Sequence, residues 1–371
     1  MQKKNIAIVV SAMNLGGAQR VVSILCDHWI KSGYEVSLIS TFTGNKTNHY
    51  EVNKSVKLFY LAECKFTFGN RSLKLIFKLL QLRRIFKELE TDVIISFLTR
   101  VNIASALATF GMKRKLIICE RTWTPFATLN KNFYWFYRQL FANVARIIVQ
   151  TDQSKNWLYE NFSNSRVTVI PNPVSYPLPI QKERSVSPFK LISKNKKIIL
   201  ASGRLHKFKQ FDLLLQAFSK IYHLYDNWDL VILGDGDERK SLQSRVNNFG
   251  IQARVHMPGS VGNISDWYNA SDIFVLSSLV EGFPNVLLEA MAYGLPCISF
   301  DCNTGPREMI EHNKNGLLVA PAEKSEGLAA AIKKLIDNPD LRENISSKSR
   351  NIRDKFSINN IMNIWDDVLG K

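Results

Sequence analysis

Two glutamates in the second half of the chain flank a segment whose residue types suit anion binding. Glu281 lies in the loop after a predicted strand at Ile273–Ser277, and Glu289 lies eight positions later, within a predicted helix. Carboxylates accept hydrogen bonds from sugar hydroxyls. Two carboxylates that frame an anion-binding helix start would suit a ligand with sugar hydroxyls on both sides of a diphosphate. The alternative for Glu289 is a solvated position on the helix surface.

The helix between these glutamates begins with features that leave its first amides available. Pro284 suits the first turn of a helix and Gly294 suits its end, which predicts a helix over Asn285–Tyr293. The first N–H groups of a helix have no partner within it, and the helix dipole favours negative charge there. The candidates for contacts to a diphosphate are therefore the main-chain amides of Phe283, Asn285 and Val286.

Two basic residues follow the first predicted strand of the second half. That strand, Lys197–Ser202, leads into Arg204 and Lys209 before the next predicted helix. Both side chains would lie at the carboxyl end of the strand, where open α/β sheets bind ligands. Arginine offers a planar fork to a diphosphate and lysine offers a point charge. The alternative is a solvated basic loop.

Two glycine-containing loops have weaker signals. Gly16 and Gly17 stand between the first predicted strand and a helix, where glycine lets the main chain approach a ligand. A bare tight turn is the alternative, and the spacing is not that of a dinucleotide-binding loop. Asp235 and Asp237 have the D-x-D spacing that could hold a divalent metal between phosphates. We favour a tight turn into a helix there, and we expect no metal.

The elements that must position these residues alternate between short apolar runs and helical patterns. Continuous runs rich in Ile and Val are typical of strands buried on both faces of a parallel sheet. The predicted strands are Ile6–Val10, Glu35–Ser40, Val56–Tyr60, Val93–Phe97, Leu116–Cys119, Arg146–Gln150, Val167–Ile170, Lys197–Ser202, Asp229–Leu233, Arg254–Met257, Ile273–Ser277, Pro296–Phe300 and Gly316–Val319. The predicted helices are Ala18–Lys31, Arg71–Glu88, Lys209–Tyr222, Glu238–Phe249 and Asn285–Tyr293. This alternation predicts an α/β chain of two doubly wound, Rossmann-like domains.

A proline-rich segment separates the two predicted domains. Residues 171–179 contain four prolines, and a polar stretch follows at 181–196. Such a segment cannot form a helix or a central strand. We expect an N-terminal domain at 1–176 and a C-terminal domain at 177–356, with a final helix near 357–371 packing back on the first. Since ligands bind beyond the carboxyl ends of the strands, we expect the active site between the two domains.

Positive charge is concentrated in the first half of the chain. The formal net charge is +17, and residues 1–180 hold 24 Lys and Arg against 10 Asp and Glu, whereas residues 181–371 hold 25 against 22. A basic half attracts nucleic acid, an acidic lipid surface or a phosphorylated substrate. The alternative is a solvated surface kept soluble by like charge. Five scattered cysteines favour a reducing compartment over a disulfide framework or a zinc site. No uncharged apolar stretch reaches the ~18 residues that a membrane span requires, so we expect a cytoplasmic protein.

One predicted helix combines basic and apolar residues. On a helix, one arc of roughly 60° holds Arg71, Lys74 and Lys78, and another arc holds Leu75, Leu79, Leu82 and Phe86. Such a helix can lie on an anionic membrane leaflet, and the aromatic run Phe126–Phe141 also suits an interface. The alternative is an ordinary core-packing helix with a solvated stripe. Arg100 and Arg121 also follow predicted strands and could contact an anionic acceptor.

The pattern Glu281…Glu289 resembles the E-x7-E signature of the family 4 retaining glycosyltransferases. These have the GT-B fold, in which two Rossmann-like domains face each other across a cleft. The resemblance covers most of the chain. Its other segments are the Gly16-Gly17 loop, VIPNPV at 169–174, SGRLHKFKQFDLLLQAF at 202–218, LGDGDERKSL at 233–242 and NTGPREMI at 303–310.

The resemblance implies a role for each matching position. Arg204 and Lys209 would hold the donor diphosphate, Glu289 would bind the ribose hydroxyls, and Glu281 would lie over the sugar ring. The other residues implied along the donor are Gly16, Gly17, Gly282, Phe283, Pro284, Asn285 and Val286. The first domain would bind the acceptor and the second the nucleotide sugar, without a metal or any other cofactor.

One position departs from the pattern of many members. They place a histidine after an N-domain strand, near the donor sugar, whereas here the strand Leu116–Cys119 ends in Glu120, Arg121 and Thr122. The chain is similar to the branch with Glu-Arg at this point, where Glu120 would contact donor or acceptor. The alternative is a buried network of Glu120 and Arg121.

These inferences predict a metal-independent, retaining glycosyltransferase. It would move a hexose or N-acetylhexosamine from a nucleotide diphosphate sugar, with UDP favoured by family frequency, to a lipid-linked glycan of bacterial surface or glycoprotein glycan biosynthesis. Because no protein nucleophile is evident, retention would come from front-side attack. The protein would be peripheral on the anionic inner face of the cell membrane. The alternatives are a nucleotide-sugar 2-epimerase of the same fold and, ranked low because no nucleic-acid-binding signature is present, a basic nucleic-acid-binding protein.

Overall fold

The structure is a computed structural model that describes residues 4–13, 16–42, 52–61, 71–122, 138–162, 166–180 and 184–370. The chain divides into two compact units, one formed by Met1–Asn172 with Ile361–Lys371 and the other by Pro173–Asn360. The division after Asn172 lies slightly before the boundary at 176 expected from the prolines. Each unit contains one parallel sheet.

The first unit is built on a seven-stranded sheet with the strand order β3-β2-β1-β4-β5-β6-β7. Its elements are β1 (Asn5–Val10), α1 (Gly17–Lys31), β2 (Glu35–Ser40), β3 (Lys57–Tyr60), α2 (Arg71–Glu88), β4 (Val93–Phe97), α3 (Thr99–Thr109), β5 (Lys115–Cys119), β6 (Arg146–Val149), α4 (Asp152–Asn161) and β7 (Val167–Val169). The order reverses between β1 and β4, so the loops that leave these two strands diverge there. Such a switch point is where open α/β sheets bind ligands.

The second unit has a six-stranded sheet with the order β10-β9-β8-β11-β12-β13. Its elements are β8 (Lys197–Ser202), α5 (Phe211–Ile221), β9 (Trp228–Leu233), α6 (Arg239–Asn248), β10 (Val255–Gly259), α7 (Ile264–Ala270), β11 (Ile273–Leu276), α8 (Asn285–Ala292), β12 (Cys297–Phe300), α9 (Pro306–Met309), β13 (Leu317–Val319), α10 (Lys324–Asp337), α11 (Pro339–Ser349) and α12 (Ile352–Lys355). A last helix, α13 (Ile358–Leu369), follows α12. The switch point of this sheet lies between β8 and β11.

The final residues of the chain belong to the core of the first unit. Trp29 of α1 and Trp365 of α13 are both fully buried, and their rings meet edge to face with centroids 5.8 Å apart. Lys4 Nζ, just before β1, donates to the carbonyl of Leu369 at 2.5 Å. Large aromatic side chains contribute much of the burial energy of a core, so α13 is part of the fold of this unit.

The predicted strands are all present, and their ends differ from the prediction by at most two residues. The reason is local, because strands buried on both faces need continuous apolar runs, and Ile6–Val10 are at most 2% exposed. Several helices were not among the predicted ones. In α3, for example, the buried face includes Asn102, Ser105 and Thr109, so the helix has no clear apolar period.

The helix α2 buries only part of the apolar arc expected of it. Leu82 and Phe86 are buried in the core of the first unit and Leu79 is half-buried, as a packing face requires. Leu75 is 60% exposed, so the alternative of an ordinary core-packing helix holds only for the C-terminal half of α2. The side chain of Arg71 and the aromatic residues 126–137 lie outside the described residues.

Two further features of the described residues concern membrane-spanning helices and disulfide bonds. Within the described parts of the chain, no helix is both long and apolar enough to cross a lipid bilayer. The four described cysteines, Cys26, Cys119, Cys297 and Cys302, are buried and form no disulfide with one another.

Candidate active site

Two loops of the second unit meet at the switch point of its sheet. One leaves β8 and the other leaves β11, which pair directly. The hydroxyl of Ser277 donates to the carbonyl of Lys209 at 2.7 Å, and the amide of Leu279 donates to the carbonyl of Phe208 at 2.8 Å. These hydrogen bonds hold the two loops against each other, at the edge where ligands of such sheets bind.

The same contact brings together two residues predicted for the site. Lys209 Nζ donates to Glu281 Oε1 at 2.5 Å. Their side chains are 23% and 12% exposed, respectively. Both charges are therefore partly removed from water but still reachable by a ligand. In such a setting an ion pair fixes both side chains, and screening by solvent is weaker than at an open surface.

The loop that follows β12 supports Glu281 from the other side. The hydroxyl of Thr304 donates to the main-chain carbonyl of Glu281. Gly305, with φ +98°, lies so close that a Cβ there would be 2.6 Å from Cδ of Pro284. Burial raises the pKa of the nearby Cys302 thiol to about 12, with a smaller contribution from the Glu281 charge. This thiol therefore stays neutral near pH 7 and is a poor nucleophile.

Helix α8 starts directly after this loop. Pro284 caps it, and the amides of Leu287 and Leu288 donate back to the Pro284 carbonyl at 3.1 and 3.2 Å. The Phe283 side chain is 6% exposed and packs edge to face on Phe356, so only its main chain can face a ligand. The Gly282 main chain and the first amides of α8 thus follow closely after Glu281 in the chain.

Glu289 is buried rather than solvated. Its side chain lies on α8 at 6% exposure, and Tyr268 of α7 donates its hydroxyl to Glu289 Oε2 at 3.1 Å. A buried carboxylate is costly unless hydrogen bonds compensate it, and the tyrosine also fixes its orientation. The interpretation of Glu289 as a surface residue is therefore wrong.

Arg204 has a more exposed position than Lys209. Its Nη2 lies 3.7 Å from Asp237 Oδ2, and both side chains are more than 70% exposed. Asp235 accepts a hydrogen bond from the amide of Gly236 at 2.9 Å and lies 3.9 Å from Arg239 Nη1. Each aspartate thus has an arginine neighbour, and Asp235 also accepts a main-chain hydrogen bond within the turn.

In the first unit, the predicted site residues Gly16, Gly17 and Glu120 lie after β1 and β5, at the carboxyl edge of the sheet. Gly16 precedes α1 in extended backbone, and Gly17 is the first residue of that helix. Glu120 follows β5, is 3% exposed, and accepts hydrogen bonds from Thr99 Oγ1 at 2.9 Å and Asn102 Nδ2 at 2.6 Å. Leu98, before α3, has φ +77°. This backbone conformation is strained for a bulky residue, and such strain occurs most often at active sites.

The basic residues assigned to the acceptor or the membrane differ in their surroundings. Arg121 is 8% exposed and donates from Nη1 to Asn172 Oδ1 at 2.8 Å. Arg100 and Lys74 are exposed. Lys78 is half-buried, with its Nζ 5.2 Å from the centroid of the Phe42 ring. The structure thus separates one buried arginine from a set of surface cations.

The structure also adds residues that the sequence did not single out. Tyr268 and Thr304 contact the glutamates of the second unit, and Thr99 and Asn102 contact Glu120. No local sequence pattern marks these four residues as part of a site. Each one hydrogen-bonds to a glutamate at least 18 positions away in the chain. Asn172 lies within the VIPNPV segment, so its position, though not its contact with Arg121, was visible in the sequence.

Comparisons with known proteins identify the family of the chain. The family described as "Glycosyltransferase Family 4" matches residues 15–176, and "Glycosyl transferases group 1" matches residues 183–352. The chain is 28% identical to the amylovoran biosynthesis glycosyltransferase of Erwinia amylovora, over 99% of both chains. It is also 28% identical to a Campylobacter jejuni enzyme named as an α-1,4-N-acetyl-D-galactosaminyltransferase of an undecaprenol-diphosphate-linked glycan, over 97% of this chain and 96% of that one.

A solved structure shows the same fold. The Anabaena protein HepE, in complex with UDP, superposes with a TM-score of 0.77 at 19% identity, over 98% of this chain and 99% of that chain. Two Rossmann-like sheets, two glycosyltransferase domains that together span most of the sequence, and full-length bacterial relatives lead to one conclusion: this chain belongs to the glycosyltransferases of the GT-B fold, with a family 4 domain followed by a group 1 domain.

Proposed function

We propose that the protein transfers a hexose or N-acetylhexosamine from a UDP-sugar, with retention and without a metal, to a lipid-linked glycan in bacterial surface or glycoprotein glycan biosynthesis. The observation that carries this proposal is the Lys209–Glu281 pair at the β8–β11 switch point. The loop that contains Glu281 leads directly into α8. Its support from relatives is the naming of one as a transferase acting on an undecaprenol-linked glycan, and the presence of UDP in the HepE structure.

The proposed mechanism assigns each group to a part of the donor. Lys209, Arg204 and the first amides of α8 stabilise the negative charge that develops on the leaving diphosphate. Glu281, oriented by Lys209, accepts hydrogen bonds from the transferred sugar, and Glu289, oriented by Tyr268, accepts them from the ribose. The Cys302 thiol is held neutral, so it supplies no thiolate to the anomeric carbon. The acceptor hydroxyl attacks from the face that the diphosphate leaves and gives its proton to the departing phosphate oxygen, so the new glycosidic bond forms as the bond to the diphosphate breaks.

Donor preference provides the direct test. We expect UDP-sugars to raise the thermal midpoint of the full chain more than GDP- or ADP-sugars do. In Glu289→Gln, one carboxylate oxygen becomes an amide donor that faces hydroxyl donors, so we expect the affinity for UDP-sugar to fall about ten- to a hundredfold. Isothermal titration calorimetry measures this affinity.

The matched control for that experiment is Glu343→Gln, the same change at an exposed position of α11. It should leave the affinity unchanged. Equal stabilisation by all nucleotide sugars would contradict the donor assignment, and tight UDP-sugar binding by Glu289→Gln would contradict the ribose contact alone.

The membrane part of the proposal depends on a surface that we call the α2 patch. It consists of four apolar side chains of α2 that are each 49–60% exposed, together with Phe42 at 58% and the neighbouring lysines: Leu73, Leu75, Ile76, Leu80, Phe42, Lys74 and Lys78. Helix α2 follows β3 and precedes β4, so its N-terminal half lies towards the carboxyl edge of the parallel sheet. Apolar side chains flanked by lysines are the composition of helices that lie on anionic bilayers.

Vesicle flotation tests this surface. The wild-type chain should float with phosphatidylglycerol vesicles and less with phosphatidylcholine vesicles, since each lysine near an anionic surface contributes about 1 kcal/mol. We expect Leu75→Glu/Ile76→Glu to lower the vesicle affinity at least about tenfold. The double variant replaces apolar area that would be buried in the bilayer with two negative charges. The control Leu224→Glu changes an equally exposed leucine, 61%, in the second unit and should float like wild type. Undiminished flotation of the double variant would refute the role of the α2 patch.

A further inference from the structure

Arg121 is a buried cation at the carboxyl edge of the first sheet. It is 8% exposed, and its guanidinium carbon lies 4.9 Å from the centroid of the Phe97 ring at the end of β4. Removal from water lowers the pKa of its guanidinium. A buried charge is costly unless an opposite charge or several hydrogen bonds compensate it. The surroundings of this arginine therefore indicate what it is built to bind.

Only one oxygen acceptor reaches the guanidinium from the described residues. Nη1 donates to Asn172 Oδ1 at 2.8 Å, whereas Nε and Nη2 have no oxygen acceptor in the part of the chain that the structure describes. The Cys119 side chain also interacts with the guanidinium, but a thiol is only a weak acceptor. The N–H groups of Nε and Nη2 are parallel and together fit two oxygens of a carboxylate or phosphate. The same fork is filled elsewhere in this chain, where Arg307 donates from Nε and Nη2 to the two oxygens of Asp301.

The neighbouring acidic groups do not fill the Arg121 fork. Glu120 attracts Arg121 through its charge, but its oxygens accept hydrogen bonds from Thr99 and Asn102. Burial raises the pKa of the Cys119 thiol to about 12, so this neighbour contributes no thiolate near pH 7. The fork is therefore positioned and desolvated, but neither of these neighbours provides an anionic acceptor for Nε and Nη2.

We propose that the Nε–Nη2 fork of Arg121 binds a phosphate of the lipid-linked acceptor. The inference rests on the proposed function and adds a contact to it. The fork follows β5 at the carboxyl edge of the sheet, towards which the N-terminal half of α2 and its α2 patch also lie. An acceptor held by its lipid at that surface brings its diphosphate to this edge, whereas the donor diphosphate is assigned to Lys209 and α8. Both nitrogens are buried, and the low polarity around them strengthens a hydrogen bond to the phosphate.

Inorganic pyrophosphate is the probe for this site. The full chain is first saturated with UDP, which occupies the donor site, and pyrophosphate binding is then measured by isothermal titration calorimetry. We expect Arg121→Lys, which keeps the charge but loses the fork, to bind pyrophosphate at least about tenfold more weakly. Its affinity for UDP should equal that of wild type. The matched control is Arg166→Lys, the same change at an exposed arginine just before β7, which should bind pyrophosphate like wild type.

The possible outcomes separate this inference from the proposed function. Failure of UDP to bind would count against the donor site, not against the fork. Equal pyrophosphate affinity in Arg121→Lys and wild type, or equal losses in both variants, would overturn the fork. Binding of malonate that depends on Arg121, with no such binding of pyrophosphate, would overturn the phosphate assignment.

A measurement on the wild-type chain covers the case in which Arg121→Lys does not fold. Crystals soaked with tungstate, a phosphate analogue with a strong anomalous signal, should show the anion within hydrogen-bond distance of Nε and Nη2 of Arg121. Tungstate bound only at other positions would overturn the proposal.

Discussion

Lys209→Ala is expected to lower kcat/KM about 100- to 1000-fold, the loss typical of removing a preorganised group that stabilises developing negative charge. Two effects act in the same direction. The variant loses the cation that faces the leaving diphosphate, and it leaves the Glu281 carboxylate, 12% exposed and formerly 2.5 Å from Nζ, without this partner. The unpaired carboxylate then repels the donor. Initial rates with a radiolabelled UDP-sugar measure the loss.

Two further variants distinguish a catalytic from a merely structural role. Lys207→Ala removes an exposed lysine two positions earlier and should leave turnover within about twofold of wild type. Glu281→Gln in the Lys209→Ala background removes the unpaired charge. It should restore thermal stability but not turnover, since the two residues interact directly. Turnover of Lys209→Ala near the wild-type value would refute the assignment of this lysine to the diphosphate.

Gly234→Ala is expected to lower the free energy of unfolding by about 4 kcal/mol or more, at the upper end of single substitutions. Gly234 has φ +129°, and a Cβ there would lie 2.0 Å from the carbonyl oxygen of Gly203. This neighbour is main chain and cannot rotate away. The loops after β8 and β9 lie backbone to backbone at this point, with the amide of Leu205 donating to the carbonyl of Asp235 at 2.9 Å. Urea unfolding, monitored by tryptophan fluorescence, measures the change.

The matched control is Gly259→Ala at the end of β10, the strand beside β9. Gly259 also has a left-handed φ, +95°, but nothing lies within 4 Å of the added Cβ. Its cost should be the backbone strain alone, about 1 kcal/mol. If the two variants unfold at the same urea concentration, the close approach of the two loops is not what requires glycine at 234.

Local sequence determined the sheets and the loops that carry the donor residues. A run such as Val93–Phe97 is buried on both faces, so its apolar continuity alone marks a strand. Pro284 and Gly294 mark the limits of α8 because each restricts or permits particular backbone angles. Residues that follow strands, such as Lys209 and Glu281, could therefore be assigned to the carboxyl edge of the second sheet from the sequence.

Helices and burial were harder to infer where the period was weak. Helix α3 buries Asn102 and Ser105, so its sequence lacks the apolar stripe by which α5 was found. The N-terminal half of α2 has apolar residues at helical spacing, yet Leu75 is exposed there and Phe86 is buried further along. Spacing describes which residues share a face, but it contains no information on whether another element covers that face.

By itself, the sequence determined the strand–helix alternation, the glycine and proline positions that end its elements, and the residue types available at the strand ends. Only the tertiary structure decided that Lys209 pairs with Glu281, that Tyr268 orients a buried Glu289, and that Arg121 is held by Asn172 with its fork unfilled. The physical reason is range. Backbone preference and hydrophobic period act over a few neighbouring residues, whereas the hydrogen-bond partner and the dielectric surroundings of a side chain are set by strand order, which brings together segments far apart in the chain.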